Sequence, residues 1–133
     1  MIERFLAGLE AKLKDPVQCT YMTVVNPGNI DPLQRHYGFS VYVDAELRLA
    51  NLGCSVGGGT LYRELETGDE DDLEIVCCVL DVDATDVAGA RALLREHLPE
   101  LGATVGTLVQ FGDREDRFDG SAWHLDEPCS IED

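Results

Sequence analysis

Basic residues are scarce in this chain: ten lysines and arginines stand against 26 aspartates and glutamates, for a formal net charge of -16. Proteins that hold DNA or RNA draw most of their affinity from cations that displace counterions from phosphates, so the shortage argues against direct nucleic-acid binding. It argues equally against docking on an anionic membrane. Long apolar runs are missing too, with nothing near the ~20 residues of a membrane span. Residues 1–14 lack the basic start, apolar core and small-residue cleavage site of a secretory leader, which points to the cytoplasm. The five cysteines form no pairing pattern: Cys19, Cys54 and Cys129 are isolated, Cys77 and Cys78 are adjacent, and there is no C-x-x-C. They read as reduced thiols, some of them buried.

What is present fits one compact domain: 133 residues with 44% hydrophobic content. Ile2, Phe5, Leu6, Leu9 and Leu13 fall at i, i+3, i+4, i+7 and i+11, which predicts an amphipathic helix over 2–14, stopped by Pro16. Cys19 to Val25 is β-branched and aromatic and predicts a strand that ends at Asn26-Pro27-Gly28. Phe39 to Val43 alternates like a strand, but the run onward to Leu52 favours helix. We read a helix over Val41–Leu52 with Gly53 as its left-handed stop. Ser55–Glu64 predicts a glycine-rich strand, and Leu73–Val82, the most apolar stretch, a central one. Asp83 to Asp86 offers side-chain oxygens to cap a helix; its buried stripe is Val87, Ala90, Leu94, Leu98 and Leu101, and Pro99 and Gly102 mark its end. Thr104–Phe111 predicts a fourth strand.

The order β-α-β-β-α-β is that of the α+β ferredoxin-like fold, a four-stranded antiparallel sheet with two helices on one face. The expected domain covers 1–112, including the extra N-terminal helix, and 113–133 is expected as an acidic C-terminal tail. Leu52–Thr60 (L-G-C-S-V-G-G-G-T) and Leu101–Thr107 (L-G-A-T-V-G-T) resemble a loose family of small bacterial ferredoxin-like proteins with L-G-x-x-x-G-G-G and L-G-A-P-x-G-T patterns. Thr104 stands where that family often has Pro. The resemblance covers roughly Thr20 to Phe111; it implies the fold and no reaction.

Candidate sites are few. Gly57, Gly58 and Gly59 could present backbone amides to an anion, yet no G-x-G-x-x-G opens a helix and no G-K-[ST] follows. A bulge or close backbone approach at a sheet edge explains them better, and an open edge there could accept a partner strand. Arg35, His36 and Tyr37 share a loop and could line a pocket for a polar ligand. Asp69, Glu70, Asp71 and Asp72 lack the register of a calcium loop; no metal site and no cofactor are expected. No nucleophile–base pair is legible, which places an enzyme behind two other readings. The first is an interaction module, of the kind of an immunity-type inhibitor, whose Asp69, Glu70, Asp71, Asp72, Asp113, Glu115, Asp116 and Asp119 meet a basic protein. The second is a small-ligand regulatory module. A monomer and a homodimer are both compatible with the sequence.

Overall fold

The structure, a computed structural model, describes residues 19–28, 30, 32–64 and 73–129. The helix expected over 2–14 and the acidic turn at 68–72 lie outside the described residues. Within them, β1 spans Thr20–Pro27, β2 Gly53–Glu64, β3 Leu73–Ala84, β4 Leu108–Phe111, β5 Arg114–Phe118 and β6 Trp123–Pro128. A helical run between β1 and β2 consists of α1 (Pro32–Arg35), a π turn (His36–Ser40) and α2 (Val41–Leu49); α3 (Val87–Glu100) joins β3 to β4.

The strands form one six-stranded antiparallel sheet in the order β2-β3-β1-β4-β5-β6. This corrects the expectation of a four-stranded ferredoxin-like sheet followed by a tail. Residues 114–128 are two further strands of the same sheet. Their cause is local: Phe111 pairs with Arg114 across a two-residue turn, Gly112-Asp113, in which Gly112 has φ +64°. Gly-Asp between two strands is a hairpin signal, because a positive φ at the first turn position matches the twist of the flanking strands.

Alternation divides the sheet into two faces. Met22 and Val24 of β1, Leu80, Val82 and Ala84 of β3 and Val109 of β4 point to the side where α2 and α3 lie. There they meet Phe39, Val43 and Leu47 from one helical run and Ala90, Leu94 and Leu98 from α3, both sets at helical spacing. The opposite face holds a smaller cluster of Val25, Cys77 and Leu108, with Val79 against it.

Both helices end in the same hydrogen-bond pattern. After α2, Asn51 N–H donates to the Arg48 carbonyl and Leu52 N–H to that of Leu47; after α3, Gly102 N–H reaches Pro99 and Ala103 N–H reaches Leu98. The left-handed residue of each pattern is Asn51 (φ +58°) and Gly102 (φ +100°). Gly102 is the expected stop, but Asn51, not Gly53, reverses the chain after α2. Gly53 answers a different need, since a Cβ there would lie 2.1 Å from the Asp83 carbonyl oxygen.

Pro99 explains how the last strand is held. It sits in the final turn of α3 and has no N–H to give the carbonyl four residues back, at Arg95. The Trp123 indole N–H takes that acceptor at 3.0 Å. Trp123 also packs on Phe118, with ring centroids 5.1 Å apart. One missing helical hydrogen bond thus ties β6 to α3.

Candidate functional site

The glycine triplet lies inside β2, an edge strand, paired with Asp81, Leu80 and Val79 of β3. The register slips between Ser55 and Gly57, so Val56 is the extra residue of a bulge and is exposed. Gly57 has φ +146°, and a Cβ on Gly58 would stand 2.3 Å from the Val79 carbonyl oxygen. Sheet geometry accounts for both positions.

Beside the bulge an open cleft of about 380 Å³ is lined by Ser40, Val41, Asp44, Ser55, Val56 and Gly57. Its polar groups already serve one another. The Asp44 carboxylate accepts the Ser55 amide at 2.9 Å and the Arg48 Nε at 2.9 and 3.0 Å, and the Ser40 and Ser55 hydroxyls are 3.3 Å apart. Asp44 thereby covers an outward amide of an edge strand, which blunts pairing at that point. Val41 and Tyr42 beside the cleft remain exposed, as do Leu61 and Tyr62 farther along β2.

The acidic candidates separate sharply. Asp113 is exposed in the β4–β5 turn. Asp119 organises the β5–β6 turn: its Oδ1 accepts the amides of Ser121 and Ala122, and its Oδ2 lies 2.7 Å from His124 Nε2. Those backbone amides, with His124, hold its carboxyl far below the ordinary range. Glu115 and Asp116, expected among outward contacts, are buried and cannot present charge to a partner. Glu115 accepts from Gln110 Nε2 at 3.4 Å. Asp69 to Asp72 lie outside the described residues.

Asp116 is the centre of a fully used ion cluster. Oδ1 accepts from Arg91 Nη2 at 2.7 Å and the Asp126 amide at 3.0 Å; Oδ2 accepts from Arg91 Nε at 2.9 Å and Arg95 Nη1 at 3.1 Å. Burial alone would raise its pKa, but the Arg91 hydrogen bonds, the Asp126 amide and Arg95 outweigh burial and lower it. The Arg91 guanidinium also lies 3.9 Å from the centre of the Phe111 ring. These contacts weld α3 to the β4–β5–β6 end of the sheet.

Arg35 ends α1, and the backbone of His36 and Tyr37 opens the π turn. Arg35 Nη1 donates to Thr60 Oγ1 at 3.3 Å. Two residues that the sequence did not single out lie on the same side of the sheet. Asn26 and Cys78 face each other across β1 and β3, both wholly buried, and Cys78 in turn opposes Thr60. A polar residue at the third inward position of an apolar strand was the available signal for Asn26.

His97, near the end of α3, lies 3.7 Å from Glu46 and 3.9 Å from Glu100. Among the described residues no three His, Cys, Asp or Glu side chains converge as metal ligands, and no helix is long and apolar enough to cross a membrane. Comparison with family models, curated proteins and solved structures gives no match to this chain.

Proposed function

We propose that this protein is a non-enzymatic interaction module whose acidic surface holds a basic protein partner, in the manner of an inhibitor that occludes a cationic surface. One observation carries the reading. Of the arginines whose side chains are described, Arg48, Arg91, Arg95, Arg114 and Arg117 are each bound to a carboxylate of this chain. Those five cations are spent internally, while Asp86, Glu96, Glu100 and Asp113 stay exposed. A chain of net charge -16 arranged so attracts cationic surfaces and repels polyanions. Association driven this way is fast at low salt and screened at high salt, since the Debye length falls from about 10 Å at 0.1 M to about 3 Å at 1 M.

The test is capture of partners from native cytoplasm on the immobilised chain at low salt, followed by elution with rising salt. The expected result is a basic protein released by salt, and weaker capture by a variant with Asp69, Asp71 and Asp72 changed to Lys. Capture that ignores salt, or acidic partners alone, would refute the reading; unchanged capture by the triple variant would move the contact to the Asp113 end of the sheet.

A further inference from the structure

One end of the helix-facing side of the sheet carries polar groups where strand alternation calls for apolar ones. Met22 and Val24 are core residues, and Asn26 is the next β1 residue on their side. Its ladder partner Cys78 follows Leu80 and Val82 in the same way, and Thr60 extends the row onto β2. Asn26 is wholly buried, yet neither its amide nitrogen nor its amide oxygen meets a protein partner at good hydrogen-bond geometry, the adjoining Cys78 thiol offering only a weak contact. Leaving such groups unmet is destabilising, and an apolar residue of the same size avoids the cost.

The helical run from Pro32 to Ser40 borders this row, joined to it by the Arg35–Thr60 hydrogen bond and by Phe39, which is sunk in the core. Among the described residues no carboxylate pairs with the Arg35 guanidinium. Burial pushes the Cys78 thiol up, and the Asn26 side chain and then the Arg35 charge offset that push only in part. More than half of this bordering segment is a π turn, His36–Ser40, and such turns interrupt regular helical bonding and cluster at functional sites.

We propose that the Asn26–Cys78–Thr60 row and Arg35 form a binding site for a small oxyanion, reached when residues 32–40 open locally. The chemistry is that of converging donors: the Arg35 fork, the Asn26 NH2, the Thr60 hydroxyl and the Cys78 thiol all carry protons to give. Local opening of a short segment is ordinary in native proteins and needs no global unfolding. The site is separate from the acidic surface and does not depend on it.

Acetate and inorganic phosphate, each titrated at constant ionic strength with chloride as the control, distinguish a carboxylate from a phosphate ligand. The Asn26 side-chain NH2 resonance is the readout. Saturable shifts with either anion, weakened about tenfold or more in Arg35→Gln, are expected, tenfold being roughly 1.4 kcal/mol for a lost charge-assisted contact. The same anion should slow alkylation of Cys78 in a Cys77→Ala background. Asn26→Val should keep the fold, raise the unfolding midpoint and abolish the anion's protection of Cys78 against alkylation. Shifts that never saturate, that match chloride, or that survive Arg35→Gln would overturn the proposal, as would Asn26→Val lowering stability, which would mark the amide as structural.

Discussion

Removing the Asp116 carboxylate gives the most direct measure of what holds the two C-terminal strands to the rest of the protein. The side chain is fully buried and accepts four hydrogen bonds, three of them from Arg91 and Arg95, whose side chains are 19% and 24% exposed. Breaking a buried ion pair by deleting one partner typically costs about 3–5 kcal/mol, because the remaining charge is stranded. Here both arginines retain a path to water, which places Asp116→Ala at the lower end, about 3 kcal/mol. For a chain of this length that is a fall in Tm of about 10 °C. Acid adds an independent check. The folded-state pKa of Asp116 is lowered relative to its ordinary value of 3.8, so the unfolded chain binds the proton first. The contribution is therefore complete above about pH 5 and is lost as the pH falls through the unfolded and then the folded pKa. Urea unfolding at neutral pH and near pH 3 should show a wide gap between wild type and Asp116→Ala at the first and a smaller one at the second. A variant within about 0.5 kcal/mol of wild type at neutral pH, or a gap that does not narrow in acid, would refute the account of the cluster.

Two further outcomes follow from the glycines and from Pro99. Gly58→Ala, whose Cβ would meet the Val79 carbonyl oxygen at 2.3 Å, should disrupt β2–β3 pairing, seen as faster amide exchange along both strands. Gly59→Ala, whose Cβ meets nothing within 4 Å, should be neutral or raise stability by about 0.4–1 kcal/mol by restricting the unfolded chain; equal effects would show that sheet geometry is not what the triplet serves. Trp123→Phe should keep the aromatic contact but leave the Arg95 carbonyl without its donor, at a cost of about 1–3 kcal/mol in chemical denaturation.

Much of the first two-thirds of the fold is legible from periodicity. Val43 and Leu47 on α2, and Ala90, Leu94 and Leu98 on α3, repeat at the spacing that buries one helical face. The apolar Leu73 strand is interior and the glycine-rich strand lies at an edge, because only a two-sided neighbour set rewards so many large side chains. The last third hides its strands. Arg114–Phe118 reads R-E-D-R-F, a charged string with Phe118 as its one apolar residue, because its buried positions include Glu115 and Asp116, the latter held by Arg91 and Arg95 of α3. The Gly112-Asp113 turn was the local signal that outweighed composition. At α2, the αL position fell to Asn51 because a side-chain amide tolerates that conformation almost as glycine does. Asn26 escaped notice as a site residue because its burial depends on a partner strand, β3, some fifty residues away in sequence.

The same burial changes what the net charge means. A formal -16 counts every carboxylate alike, but Asp116 and Glu115 are inside, and Asp44, Asp126 and Glu127 each face an arginine. Paired acids present little field beyond a Debye length, so they contribute little to drawing in a partner. Asp86 at the start of α3, Glu96 and Glu100 on it and Asp113 in the β4–β5 turn are therefore the exposed described carboxylates, without an arginine partner among the described residues, on which attraction would fall. Charge reversal at Glu96 together with Asp113 should slow capture of a basic partner at low salt, while reversal at Asp126 should change association little and instead loosen the Arg114 contact that ties β5 to β6. Association rates measured across a salt series separate the two effects: a steering role appears as a change in the slope against salt, whereas a structural role lowers the unfolding midpoint and leaves that slope unchanged.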